Sequence, residues 1–105
     1  MLKVVNMIRD IGFPFAYDHF AEGESPTPPF ICYLSPGSNN FAADGIVYHK
    51  IIVVHLELYT DCKDLSVEQK VEAVLDKHGI FYDKLETWIA SEKLYEVLYS
   101  FEMEV

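Results

Sequence analysis

The chain has 105 residues, half of them apolar, with 17 Asp and Glu against 8 Lys and Arg and a formal net charge of −9. A chain of this length falls in the range of one domain and buries roughly 60–70% of its unfolded surface, enough for a hydrophobic core to hold it without disulfides or metals. Binding to a nucleic-acid backbone is driven by Lys and Arg that neutralise phosphates and release counterions, so this charge excludes tight or sequence-specific nucleic-acid binding.

One domain spanning residues 1–105 is therefore expected. Leu2, Val5, Ile8 and, with Val4, Ile11 recur at helical spacing, and Gly12 followed by Pro14 supplies a left-handed cap and a stop, so residues 2–11 read as a short helix. Residues 15–20 (Phe-Ala-Tyr-Asp-His-Phe) have strand character, and the Gly- and Pro-rich run 22–29 that follows reads as a rigid loop. Phe30-Ile31-Cys32-Tyr33-Leu34 reads as a second strand. Ser35-Pro36-Gly37-Ser38-Asn39-Asn40 is a cluster of turn formers that opens a loop running to about Gly45.

Residues 46–60 read as one long strand. Ile52, Val54, Leu56 and Leu58 fall on one face, and Ile51, Val53, His55, Glu57 and Tyr59 fall on the other. This is more than twice the usual strand length, so its early part is expected to leave the sheet as one arm of a hairpin, paired with whatever follows Leu34. Ser66-Val67-Glu68-Gln69 fits a capping box, and Val67, Val71, Val74, Leu75 and His78 line one stripe of a helix ended by Gly79. Residues 81–89 and 94–105 then read as a terminal hairpin, with Tyr95, Val97, Tyr99, Phe101, Met103 and Val105 on one face of its second strand. The expected fold class is α+β: a mostly antiparallel sheet with two helices packed on one face and a C-terminal β-hairpin.

Little in the chain points to covalent chemistry. Cys32 and Cys62 lie thirty positions apart without Cys-x-x-Cys spacing, and read as reduced thiols. Cys32 sits in an apolar strand, where desolvation suppresses the thiolate a nucleophile needs. His19, His49, His55 and His78 lack metal-site spacing, and His49 and His55 would lie about 20 Å apart on a continuous strand. Asp61 and Asp64, with Asp44, form an oxygen-rich combination that also arises by chance in an acidic chain, and read as a solvated loop. No phosphate-binding glycine motif occurs. The polar N-terminal decapeptide lacks a signal-peptide core, and the longest apolar run, Ile51 to Val54, is far below the ~20 residues that span a bilayer. The expectation is a non-enzymatic protein made inside the cell, with no cofactor, no metal and no membrane partner.

Two aromatic residues stand apart from the strand pattern. Trp88 lies on an otherwise polar strand, where it either completes the core from the other face or anchors an interface. Phe41, after Asn39 and Asn40 in a polar loop, has the same two readings, with partner contact favoured.

Several segments together resemble a family of small siphophage and prophage proteins of Gram-positive hosts, the tail-terminator or head-tail joining proteins. They are Phe15-Ala16-Tyr17-Asp18-His19-Phe20, Pro29-Phe30-Ile31-Cys32-Tyr33, Asn39-Asn40-Phe41-Ala42-Ala43-Asp44, Val47-Tyr48, Glu57-Leu58-Tyr59-Thr60-Asp61 with Lys63-Asp64, and Ser91-Glu92-Lys93-Leu94-Tyr95-Glu96-Val97. The resemblance lies in their order and spacing and covers most of the chain.

Membership would imply a homo-oligomeric ring, a hexamer, that caps the tail tube and contacts the major tail protein and the head connector proteins. It would place the protein in the virion at the head-tail interface, and in the host cytoplasm during assembly. It brings no catalytic residues. On that footing Asn39, Asn40, Phe41, Asp44 and Trp88 are the expected interface residues, with Asp44, Asp61 and Asp64 toward a lumen or solvent, where acidity keeps passing phosphates from adhering. The alternatives are a small acidic adaptor or inhibitor module that binds a basic partner, and a metal-dependent hydrolase or nuclease built on Asp61 and Asp64.

Overall fold

The computed structural model describes residues 1–43 and 46–104, with the backbone alone for 41–43 and 46–49. Helix α1 spans Leu2–Ile11 and turns Val4, Met7, Ile8 and Ile11 inward, the i, i+3, i+4, i+7 set of one helical face. It ends at Gly12, whose φ of 93° lies in the left-handed region that a side chain disfavours. Strand β1 is only Phe15–Tyr17, shorter than the sequence pattern suggested, because Asp18 takes a left-handed φ of 62° and turns the chain away.

Residues 18–29 carry the chain back across the sheet, so that β2, Phe30–Ser38, runs parallel to β1 with Phe15 opposite Ile31 and Tyr17 opposite Tyr33. A parallel neighbour requires a crossover of about a dozen residues, which this proline-rich segment provides. Contrary to the loop expected from Ser35 onward, β2 continues to Ser38. The register shifts between Leu34 and Gly37, and this irregularity accommodates Pro36, which has no amide to donate.

The single strand expected over 46–60 is two strands. β3, Phe41–Ala43, pairs with β4, Ile46–His49, as a separate two-stranded hairpin, and β5, Ile51–Thr60, resumes after a break at Lys50. The hairpin is the projecting arm expected from the strand's length. Helix α2, Leu65–Lys77, starts from Asp64 in place of Ser66: the Asp64 carboxylate accepts from the Ser66 and Val67 amides, and the Ser66 hydroxyl donates to the same oxygen at 2.7 Å. Asp and Ser are comparable caps. The one that wins is the residue whose backbone is still extended, and Asp64 has φ −136° and ψ 95°.

Strands β6, Tyr82–Ile89, and β7, Leu94–Glu104, form the C-terminal hairpin, and β7 also pairs antiparallel with the whole of β5. The fold is α+β: a five-stranded sheet in the order β1-β2-β5-β7-β6, antiparallel except for its β1 edge, with both helices against one face. The core lies between them. α1 and α2, the latter through Val71 and Leu75, meet Ile31 and Tyr33 of β2, Val54, Leu56 and Leu58 of β5, and Val97, Tyr99 and Phe101 of β7. Burial of each such side chain contributes about 1.5–3 kcal/mol.

Candidate functional site

Because side chains alternate along a strand, the register assigns each residue to a face. With the helices on the side of Leu56 and Tyr99, the other side carries Cys32 and Leu34 of β2, Val53, His55, Glu57 and Tyr59 of β5, Glu96, Leu98 and Glu102 of β7, and Asp83 and Leu85 of β6. The 18–29 segment lies against this face at its β1–β2 edge, with Phe20 on Phe30, while over β5, β7 and β6 no helix or strand packs on it among the described residues. It is nevertheless not a solvated polar surface. Leu34, Val53, Leu98, Ile89 and Leu94 are half-buried there, and Leu85 is 64% exposed.

Towards the β1 edge the open face deepens into a recess of about 280 Å³ lined by Phe20, Phe30, Tyr59 and Leu94, with Asp18 and Glu92 at its rim. Its aromatic floor is ordered: Phe30 stacks on Tyr59 with centroids 5.1 Å apart, and Phe20 meets Phe30 edge-on at 5.5 Å. Cys32 is buried beside them, and burial, followed by the charge of Glu57, pushes its thiol up to about 11. The desolvation expected from its apolar strand is what the structure shows. The Tyr59 hydroxyl donates to Glu96 Oε2 at 2.9 Å.

Glu57 is the anomaly of this face. Burial, then the carboxylates of Glu96 and Asp18, push its carboxyl up to about 7, and no Lys or Arg acts on it. Its folded-state value lies above the ordinary 4.5, so between those two pH values the folded chain retains a proton that the unfolded chain has released. Stability therefore falls as pH rises across that window. Glu57→Gln is expected to raise stability at about pH 8 by roughly 1–2 kcal/mol after allowance for solvent screening, and to change nothing below about pH 4. Urea denaturation at the two pH values measures this. An equal effect at both would mean that packing, and not charge, sets the cost.

The expected interface residues are divided by the fold. Asn39 and Asn40 lie at the root of the arm, not at its tip. The Asn39 amide donates to the Ile51 carbonyl at 2.9 Å, its Nδ2 donates to Glu102 Oε1 at 3.0 Å, and Asn40 Oδ1 accepts from the Ile51 amide at 3.1 Å. They tie the arm to β5 and β7. Phe41 stands opposite His49 in the first pair of the arm, and Asp44 lies outside the described residues. Trp88 is on the helix-covered face at its outer edge, with its ring 4.7 Å from Tyr95 and 48% of the residue exposed, so it is neither core nor fully free. Asp61 is exposed, Asp64 serves as the helix cap, and no group of three His, Cys, Asp or Glu suited to a metal occurs among the described residues. The same end of the sheet as the arm's root holds Phe81, 89% exposed, beside a second recess of about 430 Å³ lined by Gly79, Ile80, Asp83 and Glu102.

One charged cluster escaped the sequence reading. Glu68 is 2% exposed under α2, with Lys63 Nζ 2.7 Å from Oε2 and Lys84 Nζ 2.7 Å from Oε1. Lys84 also reaches Glu72 at 2.8 Å, and Tyr99 donates its hydroxyl to the same Glu72 oxygen at 2.7 Å. Burial raises the Glu68 carboxyl, but the two ammonium groups outweigh it and hold it below its usual value. The available signal was position: Glu68 shares a helical stripe with Val71 and Leu75, where a charge requires a partner.

No protein-family model matches the chain, and no curated protein sequence matches it. Among solved structures it is similar to a chain in the virion of the native gene transfer agent (GTA) particle, with a TM-score of 0.64 over 94% of this chain and 83% of that one. Sequence identity is 9%. The likeness is one of fold.

Proposed function

We propose that this chain is a structural virion protein of a tailed phage or prophage, a tail-terminator or head-tail joining subunit that works by assembling into a ring and catalyses no reaction. The observation that carries the reading is the fold shared along almost the whole chain with a component of a virion. The sequence segments that resemble the tail-terminator family point the same way, and so does the shape. The subunit measures 50 × 29 × 22 Å, with a separate two-stranded arm and one sheet face that carries no helix among the described residues. A heterologous contact whose rotation closes gives a ring without free ends, and the arm and the open face are the surfaces available for it. The partners on this reading are copies of the chain itself, the major tail protein and the head connector proteins.

The test is genetic and microscopic. Particles assembled without this chain should show tails of uncontrolled length or heads without tails, and supplying the wild-type chain should restore joined particles. Particles that are joined and normally sized in its absence would overturn the reading.

A further inference from the structure

The two sides of the molecule differ in charge. On the open sheet face the strand residues include Glu57, Asp83, Glu96, Glu102 and Glu104 and not one Lys or Arg. The opposite side is the outer surface of the helix layer, where Lys3, Arg9, Lys70 and Lys77 stand among Asp10, Asp64, Glu72 and Asp76, so that the layer as a whole is near neutral and α1, with Lys3 and Arg9 against Asp10, is its basic part. Lys63 and Lys84 are consumed by the buried Glu68 cluster, which leaves the helix surface with half of the chain's eight basic residues. Both sides also expose apolar atoms: Leu2, 73% exposed, lies next to Lys3, and Leu98 stands opposite Glu57 with Leu85, 64% exposed, on the strand beyond it.

We propose that copies of this chain join head to tail, the open sheet face of one receiving the outer surface of helix α1 of the next, with Glu57 and Glu96 meeting Lys3 and Arg9. The contact specifies the surfaces of the ring proposed above and rests on that reading. Charge complementarity selects this arrangement over its alternative. A two-fold contact would set the sheet face against itself and place carboxylate over carboxylate, whereas a heterologous contact brings opposite signs together. Five strands about 4.8 Å apart, the longer ones some 30 Å long, make a face of at most roughly 20 by 30 Å, about 600 Å², the size of the smaller, weaker class of specific interface. The arrangement also accounts for Glu57, a carboxylate that is desolvated among acids in the lone subunit and finds its cation in the neighbour.

Two reversed variants test it, Lys3→Glu with Arg9→Glu, and Glu57→Lys with Glu96→Lys. Sedimentation velocity and native mass spectrometry of the wild type, of each variant and of their equimolar mixture are the measurements. Each variant alone should associate at least about tenfold more weakly than the wild type. The mixture should associate again, with the two variants alternating, because each then offers the surface the other has lost. Should Glu57→Lys disturb folding, Glu57→Gln with Glu96→Gln replaces it, and is expected to give a more stable subunit that associates less.

Reversed variants that assemble like the wild type, a mixture that stays apart, or a wild type still monomeric at about 1 mM would each overturn the contact. The ring reading fails separately. Association that persists through charge reversal rejects these surfaces only, whereas joined particles in the absence of the chain reject the ring whatever the solution behaviour.

Discussion

Replacing both Lys63 and Lys84 by Met is expected to destabilise the folded chain by about 3 kcal/mol, while Glu68→Met alone changes stability by less than about 1 kcal/mol. The asymmetry follows from burial. The Glu68 side chain is 3% exposed and the two lysines are 43% and 36% exposed, so loss of the carboxylate frees cations that water can reach, with Glu86 and Glu72 still beside them. Loss of the lysines strands a carboxylate under α2 with no cation. The Met side chains keep the aliphatic stems packed, so the difference reports charge alone.

The pH dependence carries the same signature. Glu68 and Glu72 are held below the usual carboxylate value of 4.5, so their contribution is present above it and is lost as pH falls through their folded-state values. Lys63 is raised from 10.5 to about 12, by Glu68 first and then Glu86, so its contribution is complete below 10.5 and is lost as pH rises through about 12. Chemical denaturation from about pH 3 to 10 should show the double variant's deficit at neutrality and its disappearance in acid. A deficit of the same size at every pH would assign the effect to packing.

Tyr99→Ala is expected to cost about 4 kcal/mol, a large share of the roughly 5–15 kcal/mol that holds a small domain together. Tyr99 is the largest fully buried side chain, at the centre of β7, with Tyr82 edge-on at 5.3 Å and α2 above. Its removal opens a cavity between helix and sheet that neither can close. Tyr99→Phe keeps the ring and removes only the hydroxyl bond to Glu72, so about 1–2 kcal/mol is expected. Because that acceptor is ionised, the Phe variant's loss should shrink in acid while the Ala variant's persists. Thermal denaturation of the pair at neutral and acid pH separates the two. Equal losses for both variants would mean that the ring contributes nothing, contrary to the packing described.

Much of the frame was legible one segment at a time. The alternation in β5 and β7 assigned their faces correctly, since a strand buried on one side shows its two-residue period in composition. The limits of α1 followed from an apolar stripe and from Gly12, whose left-handed φ few other residues accept. The outward projection of the arm was legible from strand length, although the break at Lys50 was not, because nothing in Ile46 to Thr60 lowers strand propensity there. The turn formers after Leu34 misled for a definite reason: a bulge accepts Pro and Gly inside a strand, and local chemistry does not distinguish a bulge from a turn.

The candidate site was far less legible, because it is assembled across strands. Glu57 and Glu96 are 39 positions apart in a chain of 17 acids, and only the pairing of β5 with β7 sets them on one face beside a buried thiol. Asn39 and Asn40 were expected as interface residues, and their bonds at the arm's root, which the sequence does not show, depend on Ile51 and Glu102 arriving beside them.

By itself, then, the sequence determined the local elements, the two faces of each central strand and the acidic balance, all of which depend on neighbours within a few residues. Tertiary structure alone decided that β1 lies parallel at the edge, and that Glu68 is buried with two cations while Glu57 has none among the described residues. Those outcomes depend on long-range contacts, in which a residue's environment is set by elements far away along the chain.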